Sequence, residues 1–413
     1  MASVGDQMQT KAGGGGSTGF GRRSDLDWLR VIAFGLLILF HVGLVYAPFD
    51  WHAHSRHTED WLRQGILITG PWRLTLLFFI SGCALKLMSR KLNAPQVLKA
   101  RFARLVPPFL FGVLVLVPPQ AYIENFDKAG FRGNLVDWYV YQFGGEGLSI
   151  SLPVNHMWFV LYILVYSVLA TVLIALPRVQ AKISQGLGWA MGSVTVLALP
   201  ILYLTLARQG LFLRYGISNH LSTDWYNHAV SFGAFLFGFL IVGQDGFWTA
   251  ARRWRWLSLV VAVLALPMLM IIESVPATAP EDAWTSFVFA ADQWGTIAAV
   301  LGFGVKYLQD RDGPVLRYLT QAVFPCYLAH QTILVAAVWF IRPAGLPAFV
   351  EASLLIAIVI GGCLAIYEVV RRFNLIRPLW GLKRLPRSTL AAEQVLEPTP
   401  DKTKPPTLTA EAA

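Results

Sequence analysis

Ten apolar stretches of membrane-crossing length dominate this chain and leave it few ways to fold. They lie near residues 28–47, 66–86, 105–122, 156–177, 187–206, 227–243, 257–275, 287–306, 321–341 and 350–370. A hydrocarbon core ~30 Å thick is crossed by about 20 residues of helix. Inside it every backbone N–H and C=O must be satisfied by protein, so only helices and closed barrels are viable. Barrel strands alternate apolar and polar residues, and these runs do not. The expected fold is therefore all-α, a polytopic integral membrane protein of about ten transmembrane helices. Composition agrees. Of 413 residues, 55% are hydrophobic and 14% charged, against about 25% charged in a soluble domain. That excludes a soluble enzyme, a disordered regulator and a collagen-like chain.

The formal charge of +10 does not point to nucleic acid, because the basic residues fall mainly between the apolar runs. Placed in alternating loops, 25 of the 34 Lys and Arg residues fall on one side and 7 on the other, with Arg30 and Arg73 inside spans. The positive-inside rule makes the basic side cytoplasmic, and an even number of spans then puts both termini there. The polar start of the chain lacks the apolar core of a cleavable signal, so the first span is expected to act as its own insertion signal. Residues 1–24 read as a disordered cytoplasmic extension, 25–380 as the transmembrane domain, and 381–413, with Pro398, Pro400, Pro405 and Pro406, as a disordered cytoplasmic tail. The longest loop on the opposite side, 123–155, carries Glu124, Asp127, Asp137 and Glu146. Cys83, Cys326 and Cys363 all sit in apolar runs and read as small buried hydrophobes, with no disulfide framework and no metal site.

Charged or polar residues inside spans are costly and call for a reason. Arg30 and His41 share the first span. Eleven residues separate them, about 16.5 Å of helix, and eleven steps of about 100° return to nearly the same face. One face thus offers a cation at the cytoplasmic entrance and an imidazole near mid-membrane. The bland alternatives are a snorkelling arginine and an interhelical hydrogen bond. His330, in the ninth span, lies at a similar depth to His41. Arg73 and Asp292 occupy the same half of their spans, so they either form a structural ion pair or stand beside an anionic substrate. Arg101 and Arg104, an R-x-x-R where the third span begins, are either a topology signal or a phosphate clamp, with Arg104 the nearer to the path toward His41. His156 heads the fourth span and suits sugar binding or anchoring. His52, His54 and His57 crowd one loop, but no second ligand cluster supports zinc.

Together these residues resemble acyltransferase family 3, a family of integral-membrane acyltransferases. Arg30 to His41 resembles its R-x10-H motif, Phe78-Phe79-Ile80-Ser81-Gly82 its F-F-x-S-G segment, and Arg101 with Arg104 its R-x-x-R motif. Phe40-His41-x3-Val45-Tyr46, Trp51-His52, His156-x-Trp158-Phe159, Tyr327-Leu328-x-His330 and Tyr367-Glu368 extend the likeness toward members that succinylate periplasmic glucans. The resemblance implies an inner-membrane enzyme that takes a succinyl or acetyl group from cytoplasmic acyl-CoA, a donor substrate and not a tightly bound cofactor. The acceptor would be a hydroxyl of an extracytoplasmic glucan or other saccharide. Arg101, Arg104 and Arg30 would hold the donor phosphates. His41 would be general base, with Arg30 on the same face. Ser81 or a nearby backbone amide would stabilise the oxyanion. Arg73, His330, His156 and Asp292 would contact substrate. The competing reading is a proton-coupled transporter, which intramembrane His and Arg also suit. No inverted repeat of broken spans accompanies them.

Overall fold

The computed structural model describes residues 23–143, 153–274 and 282–385. Residues 1–22 of the expected N-terminal extension, Glu146 and the prolines of the tail lie outside them, whereas Ser24 already opens the first helix and Arg23 is buried beside it. Among the described residues there is no strand, and the helices form one bundle.

Helix α1 (Ser24–Tyr46) leads through a loop and the short turn Leu62–Gly65 to α2 (Gly70–Ser89). Next come α3 (Ala94–Phe111), a π-helical stretch (Gly112–Leu116) and α4 (Val117–Lys128), which together make one long apolar rod, Ala94–Lys128. Asn93 caps it reciprocally with Gln96, and Pro107 and Pro108 fall inside it. A proline removes an intrahelical donor and pushes on the preceding turn, which accounts for the irregular middle of the rod. Then follow α5 (Leu135–Phe143), α6 (Trp158–Ala175), α7 (Pro177–Ala190), α8 (Thr195–Ala207), α9 (Trp225–Ile241), α10 (Asp245–Ser274), α11 (Ala283–Tyr307), α12 (Pro314–Ile341) and α13 (Ala348–Arg372).

Nine helices among the described residues are long and apolar enough to cross a membrane. The tenth expected span, α9, has 17 residues, about 26 Å of helix. Both of its ends are tied to neighbouring helices. Asp224 at its start accepts a hydrogen bond from Tyr162 of α6 (2.7 Å), and Val242 at its end accepts one from Trp248 (3.0 Å). The fifth run differs from expectation at its start. Residues 187–190 belong to α7, a separate helix that buries Gln180, Ser184 and Gly188 and exposes Val179, Ile183 and Trp189. The chain turns at 191–194 before α8. Such a helix, polar inward and apolar outward, suits the membrane surface.

Contacts sort the loops onto two ends. At the proximal end, where α1 begins, Trp28 donates to Arg311 O (2.8 Å) and Arg23 lies over the Trp248 ring at 3.8 Å. Tyr318 of α12 there donates to Glu368 in the last turn of α13 (2.8 Å), so α1 starts and α13 finishes at the same end. At the distal end Lys128 pairs with Asp50 (2.5 Å), Arg342 with Asp127 (2.8 Å), and Ser55 donates to Glu351 (3.1 Å).

Close helix contact needs residues without side chains. A Cβ on Gly82 of α2 would fall 1.8 Å from Phe235 O of α9, and one on Gly238 of α9 would fall 2.1 Å from Phe79 O. The two glycines therefore let α2 and α9 touch backbone to backbone.

Candidate active site

His41 sits about 7.5 Å of helix rise before the distal end of α1 at Tyr46. It lies in the distal third of its helix and is partly exposed. Its Nδ1 hydrogen-bonds Leu37 O at 2.9 Å. A carbonyl only accepts, so Nδ1 carries the proton and Nε2 keeps a bare lone pair.

Two further imidazoles pack against it. The His330 ring centroid of α12 is 5.1 Å from that of His41, and His156, just before α6, is 5.3 Å from His330. The helical register of α12 explains part of this: Tyr327 and His330 share a face and both reach His156, and the Tyr327 hydroxyl donates to the His156 backbone oxygen. His156 is thus a buried member of the cluster. A polar strut fixes its backbone. Asn155, at positive φ (39°), donates to Gln120 (3.1 Å), which donates to Thr332 (2.6 Å). Gln120, Asn155 and Thr332 escaped the sequence reading. The signal was there in Gln120, an amide amid the apolar run 105–122.

Arg73 of α2 completes the group. It is 1% exposed, stacks its guanidinium 4.0 Å over the Phe40 ring and donates to Thr69 Oγ1 (3.0 Å), while its Nε has no partner. The Phe40 ring that it covers packs edge-on against His41, with ring centroids 5.5 Å apart. Trp51 closes the distal side, its ring 6.3 Å from His41. The loop bearing it is pinned by His52 to Glu124 (2.5 Å) and by His57 to Leu346 O (2.9 Å). These two histidines thus turn to separate partners.

Other predicted residues lie elsewhere. Arg73 and Asp292 form no ion pair. Adjacent residues on α2 point about 100° apart, and here Trp72 lines an apolar groove of about 560 Å³ that also holds Asp292, while Arg73 turns to Phe40. Asp292 is 2% exposed and its Oδ2 has no partner. Arg30, at the proximal end, donates to Thr320 O (3.2 Å) and contacts Asp27 (3.5 Å), tying α1 to α12. Ser81 lies about 12 Å of helix rise proximal to Arg73 and donates to Leu77 O (2.8 Å). Arg101 and Arg104 separate in exposure: Arg101 is 7% exposed with Nε and Nη2 unpartnered, whereas Arg104 is exposed.

An imidazole with a bare nitrogen beside a buried guanidinium can take a proton from a hydroxyl and balance a developing oxyanion, as acyl transfer requires. Comparison with known proteins agrees. The family model described as an acyltransferase domain, that of acyltransferase family 3, matches residues 23–368. The chain belongs to acyltransferase family 3. It is an O-acyltransferase built in a multi-pass membrane domain. Glucans biosynthesis protein C of Escherichia coli O6:K15:H31 (strain 536 / UPEC) is 24% identical over 379 residues, 87% of this chain and 94% of the relative. Its namesake from Shigella dysenteriae serotype 1 (strain Sd197) is likewise 24% identical over 379 residues, with the same coverage. That of Escherichia coli (strain K12) is 23% identical over 383 residues, again 87% and 94% of the two chains. No solved structure matches the chain. Two of the sequence motifs acquire physical roles in this acyltransferase. The Phe78-to-Gly82 segment packs α2 on α9, and the R-x10-H pair spans α1 from its Thr320 tether to the imidazole cluster.

Proposed function

We propose that this acyltransferase moves a succinyl or acetyl group from cytoplasmic acyl-CoA to a hydroxyl of an extracytoplasmic glucan or related saccharide, with His41 as general base. The observation that carries the reading is the tautomer of His41: its N–H is spent on Leu37 O, and Nε2 is left as acceptor on a partly exposed ring. The acceptor hydroxyl oxygen attacks the thioester carbonyl carbon and gives its proton to His41 Nε2. The carbon–sulfur bond then breaks, and the thiolate takes that proton to leave as free thiol, so an ester replaces the thioester. Arg73 offsets the oxyanion of the intermediate, as a fixed cation in a dry site does best.

In this reading ten helices, α9 included, cross the inner membrane, both termini are cytoplasmic, and the distal end faces outward. The 25-to-7 distribution of basic residues supports that orientation. Donor phosphates sit at the proximal mouth on Arg101, with Arg104 and Arg30 at its rim. The glucan acceptor is inferred from the relatives named for glucan biosynthesis. The test supplies purified protein with succinyl-CoA or acetyl-CoA and a β-glucan oligosaccharide. Thiol release together with an added acyl mass on the sugar is expected. Absence of both with every donor contradicts the reading.

A further inference from the structure

The three imidazoles share a property that single-residue inspection hides: each spends its one N–H on a backbone carbonyl. His41 Nδ1 donates to Leu37 O (2.9 Å), His330 Nδ1 to Tyr327 O (2.5 Å) and His156 Nε2 to Leu328 O (3.2 Å). A neutral imidazole has one donor and one acceptor. A second N–H on the inner rings would be a buried donor with nothing among the described residues to receive it. The remaining nitrogens are therefore lone pairs. His330 Nε2 and His156 Nδ1 are buried, and no donor among the described residues meets them. An unmet buried acceptor costs about 1–3 kcal/mol, and here two of them occur in rings 5.3 Å apart, one of which lies 5.1 Å from His41.

Such a set selects its ligand by chemistry. Anions are repelled by lone pairs. The rings do not form a set that could hold a metal ion. An ammonium would meet a like charge in the buried Arg73 guanidinium, which lies over Phe40, the ring packed against His41. Neutral hydroxyls remain, and more than one is needed to fill the set. We infer that His330 Nε2 and His156 Nδ1 accept hydrogen bonds from hydroxyls neighbouring the one that His41 deprotonates, so the site selects a polyol with adjacent hydroxyls over a lone alcohol. The inference rests on the acyl-transfer reading and adds to it two specificity-determining residues.

The experiment uses the full-length protein in detergent with acyl-CoA and two acceptors, cyclohexanol and trans-cyclohexane-1,2-diol, which differ by one neighbouring hydroxyl. Each is assayed as acceptor and as inhibitor of transfer to a β-glucan oligosaccharide. The expected kcat/KM, or inhibition constant, favours the diol by about three- to tenfold, the range of one net hydrogen bond. His330→Phe lowers both activities and brings the ratio close to one. His330→Gln, whose amide oxygen accepts, restores the ratio. A wild-type ratio of one, an unchanged ratio in His330→Phe, or a wild type that neither uses nor is inhibited by either compound overturns the inference. Where His330→Phe does not purify, the wild-type ratio decides alone. Thioester that stays intact with every acceptor, the glucan included, refutes the acyl-transfer reading itself, which separates the two failures.

Discussion

Replacing Arg101 by alanine tests the donor side. Arg101 is 7% exposed, and its Nε and Nη2 make no hydrogen bond within the protein. A guanidinium so placed loses water without regaining partners, a cost that a phosphate can return as charge-assisted hydrogen bonds. Losing those bonds costs about 1.5–3 kcal/mol, which is roughly a ten- to hundredfold weaker affinity for coenzyme A. Arg104 is exposed, and a solvent-exposed ion pair is worth about 0.2–1 kcal/mol, so Arg104→Ala should weaken binding less than about sixfold. This reverses the order that proximity to His41 suggested from sequence. Arg101→Lys should recover only part, because ammonium lacks the two-pronged geometry. Calorimetric titration of coenzyme A into detergent-purified variants measures the affinities, and a thermal melt without ligand should show no loss for Arg101→Ala. Equal affinities for all variants would refute the clamp and leave R-x-x-R as a topology signal, and a larger loss in Arg104→Ala would refute the burial argument for Arg101.

Two further outcomes are expected. Gly82→Val places a side chain where a Cβ already lies 1.8 Å from Phe235 O. Overpacking of this kind costs about 1–3 kcal/mol and should lower the thermal midpoint, and an unchanged midpoint would show that α2 and α9 do not meet as described. Single cysteines at positions 56 and 130 should react with an impermeant maleimide in intact cells, and one at 95 should not; labelling at 95 would invert the orientation and with it the donor side.

Nine of the ten expected spans were legible because membrane helices announce themselves by length and hydropathy; the remaining apolar run is the 17-residue α9, shorter than those nine. The start of α8 was not, because the apolar run that includes Leu187 and Trp189 crosses a turn that hydropathy cannot see. His41 and His330 stood out as polar residues in apolar runs, and their matching depth hinted at contact. His156 heads its span as the sequence placed it, but sequence position does not show that Asn155, at positive φ, and the strut through Gln120 set it against α12. Arg73 and Asp292 were brought together, as an ion pair or as neighbours of an anionic substrate, on depth alone. Depth carries no rotation, and the faces of α2 separate them. Ser81 drew notice beside Gly82, but its hydroxyl is engaged with Leu77 O and the tight contact belongs to the glycine.

The most direct test of the central claim is turnover by His41→Ala. His41 Nε2 is the proposed proton acceptor, and removing a general base typically costs ~10²–10⁴ in rate. The imidazole makes one hydrogen bond, to the carbonyl of its own helix, so the variant should insert and purify like wild type. Thiol release from acyl-CoA, measured with a β-glucan oligosaccharide present, should fall by that factor at saturating donor with coenzyme A affinity unchanged. Near-native turnover in the purified variant would contradict the mechanism.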